Sequence, residues 1–297
     1  MRTIILSLLL SFHVAIYAQG KPIVIPFELT KHNVISVPAV LNGKDTVHLM
    51  FHTAASSMTL VEESIKKLTS LRFSGTDTVN SWGGGGNASR FSTGNNLQIG
   101  GLTWEQVQIG ENKNSGFGTD GKFGPDLFKD KVIEIDFDHK RIVLHTSLPA
   151  KAKRYTKLRA TFEHDNLLVE AICNTGGDTA HNRFLLHSGY SGSILFDDQF
   201  AADNKLGEKL KVIDIQEARD SYNNVLKIKT AILPAFTLGS TTLQNVPAGF
   251  FDGALGRRKI SAIGSDILKR FNIIIDAQRT FVYLQPNKGR KSPYYSS

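Results

Sequence analysis

Short stretches of alternating apolar and polar residues, broken by glycine, asparagine and aspartate, make up most of this chain. Residues 34–40 and 167–172 alternate and are rich in β-branched side chains, which predicts strands. Asn42-Gly43 and Thr175-Gly176-Gly177 follow them as turn signals, so each strand opens a hairpin. Two later hairpins are predicted over 132–144 and 273–284, turning at Asp138-His139-Lys140 and Ala277-Gln278-Arg279. Helical periodicity is confined to short pieces at 61–68, 196–204, 126–129 and 266–270. The stretch 149–158 is basic, has few large apolar residues, and reads as a linker.

The same pattern is written twice. Gly43-Lys44-Asp45-Thr46 matches Gly176-Gly177-Asp178-Thr179, and Phe51-His52-Thr53-Ala54 matches Leu186-His187-Ser188-Gly189. Further on, Gly124-Pro125-Asp126-Leu127-Phe128-Lys129 matches Gly264-Ser265-Asp266-Ile267-Leu268-Lys269, and Ile133-Glu134-Ile135-Asp136 matches Ile273-Ile274-Ile275-Asp276. Four blocks in one order, at offsets that drift by a few residues, indicate an internal duplication with loop insertions.

Residues 1–18 stand apart. Arg2 precedes the apolar run 4–10, and Tyr17-Ala18 offers a small-residue cleavage site, the organisation of a secretory signal peptide. The run is too short to span a bilayer stably, and no cysteine follows to carry a lipid. The expectation is an exported protein, periplasmic or secreted, without a membrane anchor. With Cys173 as the single cysteine no intramolecular disulfide can form, and a small strand residue is its expected role. The net charge of +8 is scattered over several loops and forms no basic stripe interleaved with aromatics, which argues against nucleic acid as a partner.

The repeated elements carry a family resemblance. Phe51-His52-Thr53-Ala54-Ala55-Ser56 and Leu186-His187-Ser188-Gly189-Tyr190-Ser191 sit near the start of each half. Phe123-Gly124-Pro125-Asp126-Leu127 and Ile263-Gly264-Ser265-Asp266-Ile267-Leu268 sit near the end. The arrangement resembles the half-molecule pattern of aspartic proteases, retropepsin-like and pepsin-like, and most of all the exported bacterial members with both lobes in one polypeptide. The resemblance implies an all-β, bilobal acid-protease fold with short helices, in which two pseudo-symmetric β-barrel-like lobes, 19–150 and 151–297, face a central cleft. It also implies that Thr53 and Ser188 hydrogen-bond across the lobe interface.

The family's chemistry needs two carboxylates that share one proton, one activating water and the other donating to the scissile carbonyl. Both dyad positions here are histidine, His52 and His187. Ala54 also replaces the glycine retained as Gly189 in the second half. The favoured reading is a catalytically inactive relative, a pseudo-protease that binds a peptide or protein segment in the inter-lobe cleft. A second reading keeps a peptidase, an altered hydrolase in which two imidazoles share one proton near neutral pH. A third makes the pair a site for a transition metal, completed by water or a ligand carboxylate. His48, four residues before His52 on the same strand face and about 13 Å away, is too distant to join it. No other cofactor is expected.

The run Gly83–Gly86 lacks the lysine of a phosphate loop. With Trp82 and Gly84 it falls where a flap hairpin would cover the cleft, and both join Thr53, Ser188 and Gly189 as expected binding residues. The stretch 189–193 lacks the final glycine of a nucleophile elbow, and Ser191 is explained by its repeat partner Ser56. Asp126 and Asp266 read as helix caps, and Asp136 and Asp276 as turn residues. His32, His139, His145 and His164 are expected to be exposed.

Overall fold

A computed structural model describes residues 21–81, 84–115, 117–251 and 259–295. The expected signal peptide and Trp82 lie outside them. Strands account for 55% and helices for 12%, so the fold class is all-β, and it is bilobal, built on two closed six-stranded barrels.

The first barrel runs Ile35–Leu41, Asp45–Phe51, Gly121–Phe123, Met58–Val61, Leu102–Asn112 and Gly84–Ile99, and closes where Val40 and Leu41 pair with Gln98 and Leu97. The second runs Asn166–Asn174, Thr179–His187, Ser261–Gly264, Ile194–Leu195, Thr241–Phe251 and Val225–Leu238. It closes where Ile172 pairs with Thr237. Strand order matches position for position. So do the two parallel pairings in each barrel, one to the histidine-bearing strand and one to the short strand after it. The duplication read from four short blocks is therefore present in the topology.

A six-stranded sheet joins the lobes, in the order Ile23–Pro26, Arg141–His145, Val132–Asp136, Phe271–Ile275, Phe281–Pro286, Thr156–Glu163. Its two central strands, one from each half, pair antiparallel at Ile133–Ile275, Glu134–Ile274 and Ile135–Ile273. Both are buried along their full length, which is why they read as near-continuous apolar runs. Glu134 and Asp136 are the charged exceptions: Glu134 accepts from His145 Nε2 at 2.8 Å and from Lys151, and Asp136 from Arg141 Nε at 3.1 Å. Asn272 ties the halves further, its Oδ1 accepting from the N–H of Phe137 at 2.9 Å.

Several expectations need correction. The helix predicted over 61–68 shrinks to Glu62–Ile65, with Val61 ending the strand Met58–Val61. The predicted linker is only half linker, because Thr156–Glu163 joins the central sheet beside Phe281–Pro286. Neither Asp126 nor Asp266 caps a helix; the N-cap residues are Gly124 and Gly264, with no side-chain cap. Asp266 instead accepts from Ser193 Oγ at 2.7 Å and the Tyr295 N–H at 3.0 Å. His32 and His145 are half-buried rather than exposed, His145 through Glu134 and His32 through a 2.9 Å contact with the Tyr295 hydroxyl. Asp276 does hold a turn, accepting from the N–H groups of Thr280 and Phe281 at 2.8 Å each. Cys173 is a buried strand residue whose thiol burial pushes up to about 12. No helix among the described residues is long and apolar enough to cross a membrane.

Candidate functional site

His187 ends the strand Thr179–His187, and His52 directly follows the strand Asp45–Phe51. In each lobe the chain then turns tightly, with the N–H of Ala55 bonding the His52 carbonyl and that of Tyr190 the His187 carbonyl, both at 3.0 Å. A short helix packs behind each turn. Its leading glycine is required by the fit: a Cβ on Gly124 would lie 1.8 Å from the Ala55 carbonyl oxygen, and one on Gly264 2.0 Å from that of Gly192. This explains why an apolar-glycine pair recurs in both halves.

The two loops meet back to back through hydroxyls. Ser188 Oγ accepts from the Thr53 N–H at 2.9 Å and donates to the Phe51 carbonyl at 2.7 Å. Thr53 Oγ1 accepts from the Ser188 N–H at 2.9 Å and donates to the Leu186 carbonyl at 2.6 Å. Each hydroxyl thus satisfies two backbone groups of the opposite lobe in a buried interface. The arrangement brings His52 and His187 face to face, ring centroids 4.6 Å apart and planes inclined by 54°. Gly189 completes the fit, because a Cβ there would lie 2.2 Å from His52 Cδ2. Thus five expected residues, His52, Thr53, His187, Ser188 and Gly189, converge.

His52 is 8% exposed. Burial, then the neighbouring His187 and Lys122, hold its pKa well below the usual imidazole value, so the ring is neutral at pH 7. The Ala54 N–H donates to its Nδ1 at 3.1 Å, which places the neutral ring's proton on Nε2. That nitrogen is a donor, with no lone pair free to take a proton from water or to hold a metal. Among the described residues, no third His, Cys, Asp or Glu gathers with the pair into a metal-ligand group.

The pair lines a cavity of about 1570 Å³. The expected hairpin overhangs it: Gly75–Ser81 pairs with Gly84–Ile99, Gly84 facing Ser81 beside the turn, while Asp77, Val79 and Ser81 line the cavity. The second lobe contributes the matching hairpin, Val212–Arg219 with Val225–Leu238. Its tip crosses to the first lobe. The Ser221 carbonyl accepts from the N–H groups of Lys113 and Asn114 at 2.9 Å, Tyr222 Oη donates to the Glu111 carbonyl at 3.2 Å, and Ser81 Oγ donates to Asp220. Burial favours the neutral form of the Asp220 carboxyl, but hydrogen bonds from Ser81, Asn224 and the backbone of Tyr222 and Asn224 outweigh it and lower its pKa.

Lys122 lines the same cavity and was missed in the sequence. It sits between Gly121 and Phe123 on the short strand beside the His52 loop, opposite Thr59. Burial pushes its ammonium down to about 8, with Asp220 opposing. The signal available was the repeat itself, since Lys122-Phe123-Gly124 aligns with Ala262-Ile263-Gly264 and sets a lysine where the other half has alanine.

No protein-family model matches the chain, and no curated protein matches it in sequence.

Proposed function

We propose that this is an exported, aspartic-protease-like protein that holds a peptide or protein segment in its inter-lobe cleft without cleaving it. The family reading rests on the doubled motif, the two matched barrels and the reciprocal Thr53–Ser188 bonds. Export rests on the pattern of residues 1–18. The observation that carries the function is the state of the dyad positions: two imidazoles in ring contact, His52 buried and neutral, its one lone pair already taken by the Ala54 N–H. A carboxylate dyad works because one member stays ionised and the other keeps its proton. With its Nδ1 lone pair taken and its Nε2 a donor, His52 cannot serve as the ionised member that takes a proton from water.

The binding half of the proposal follows from the two hairpins. Among the described residues Gly75–Ser81 and Val212–Arg219 are each the last strand of their sheet, paired on one side only. Both border the cleft, so an extended segment can lie along either wall as a strand adds to a sheet edge.

The test is to incubate the mature chain with a mixed peptide library between about pH 4 and 8, the range over which carboxylates and imidazoles titrate. Retention of peptides with no new termini by mass spectrometry is the expected result. Cleavage that disappears in His52→Ala would establish the hydrolase reading instead.

A further inference from the structure

Lys122 is the one feature of the cleft that the dyad and the hairpins leave unexplained. Its strand alternates, with Phe123 fully buried in the barrel and Lys122 turned to the cleft, on the same face as its cross-strand partner Thr59. Among the described residues its ammonium makes a single hydrogen bond, 3.4 Å to Ser221 Oγ, and no ion pair. Asp220 is near enough to act on its charge, yet that carboxylate is engaged by Ser81, Asn224 and two backbone N–H groups. A desolvated ammonium with donors to spare is costly unless something fills them.

One further polar group stands in that corner and a second on the wider cleft lining. Asn112 is 1% exposed and donates through Nδ2 to Thr59 Oγ1 at 2.7 Å, which sets it beside the Thr59–Lys122 pair. Among the described residues its Oδ1 has no partner, nor does Ser115 Oγ, 6% exposed. Both residues line the cleft. The corner therefore offers a half-buried cation and a buried carbonyl acceptor, neither saturated among the described residues. Buried polar groups in folded proteins are satisfied, so this set is complementary to a ligand rather than to the protein.

We propose that this corner is a carboxylate subsite: the segment held in the cleft presents an acidic group to Lys122 Nζ and an N–H donor to Asn112 Oδ1. The inference rests on the peptide reading above and adds what the segment must carry. A side-chain carboxylate of Asp or Glu and a C-terminal carboxylate share this chemistry. Lys122 keeps its proton at neutral pH in either complex, because an adjacent carboxylate favours the charged amine. The same carboxylate also offsets the positive charge that depresses His52, so occupancy raises the His52 pKa.

The experiment uses octapeptide pools labelled with a neutral BODIPY dye in three forms: one Glu per peptide with an amidated C-terminus, the same peptides with Gln for Glu, and the Gln peptides with a free C-terminus. Fluorescence polarisation is measured on the mature chain, on Lys122→Met and on Lys122→Arg. N-acetyl-Glu-amide serves as a separate small probe, followed by NMR of the histidine ring protons across pH. We expect one carboxylate-bearing pool to bind about tenfold more tightly than the uncharged pool, with the preference lost in Lys122→Met and kept in part in Lys122→Arg. Whichever pool shows it identifies the source. An upward shift of the His52 titration by the small probe is expected in the native chain and absent in Lys122→Met. Equal binding of all pools, or a preference that survives Lys122→Met, overturns the subsite while leaving the peptide reading in place. Failure of every pool removes the peptide reading, and the subsite then falls if the small probe leaves His52 unmoved.

Discussion

The His52 ring presents Nδ1 to the Ala54 N–H and rests its other edge on Gly189, so its protonation and its position are constrained together. Because its folded pKa lies well below the unfolded imidazole value, the unfolded chain binds more protons as pH falls. Stability is therefore full above the unfolded value, near 6.5, and is lost as pH drops below it, by up to about 1.4 kcal/mol per pH unit until the folded value is passed. Urea midpoints measured between about pH 7 and 5 should show this loss, and His52→Asn, which keeps an acceptor for Ala54, should flatten it; equal slopes would contradict the assignment. Gly189 gives an independent check of the geometry. Gly189→Ala sets a methyl 2.2 Å from His52 Cδ2 and 2.4 Å from Nε2. It should cost about 1–3 kcal/mol by overpacking, with His52→Ala in the same chain recovering most of that loss in thermal melts.

At the level of elements, two of the contacts that join the lobes differ in kind. The central sheet joins them through apolar strands buried along their length, while the loops after Phe51 and Leu186 join them through two hydroxyls. In the second joint each hydroxyl serves two backbone groups. Ser188→Ala would leave the Thr53 N–H and the Phe51 carbonyl buried without their partner, a loss of about 2–4 kcal/mol that equilibrium unfolding should register. A change within about 0.5 kcal/mol would mean that water replaces the hydroxyl. The hairpins follow the same duplication but serve the site differently. The second-lobe tip reaches across to Lys113, Asn114 and Glu111, closing part of the cleft over Lys122.

For the molecule as a whole, the sequence alone determined the class, the duplication and the five residues that meet between the lobes. Alternation with a period of two, turn residues at fixed places and a motif repeated in order are local signals, and each half carries its own copy. The helix at 61–68 and the linker at 149–158 were misread because short segments take the partner the sheet offers: Met58–Val61 became a barrel strand and Thr156–Glu163 a strand of the joining sheet. Tertiary structure decided everything that depends on distance between halves. The contact of the His52 ring with His187 and the need for glycine at 189 arise only when two loops more than a hundred residues apart are docked. Lys122 was one more polar residue in an alternating strand until the second-lobe hairpin closed over it. Burial and the summed field of neighbours set its charge, and neither can be read from the order of residues along a chain.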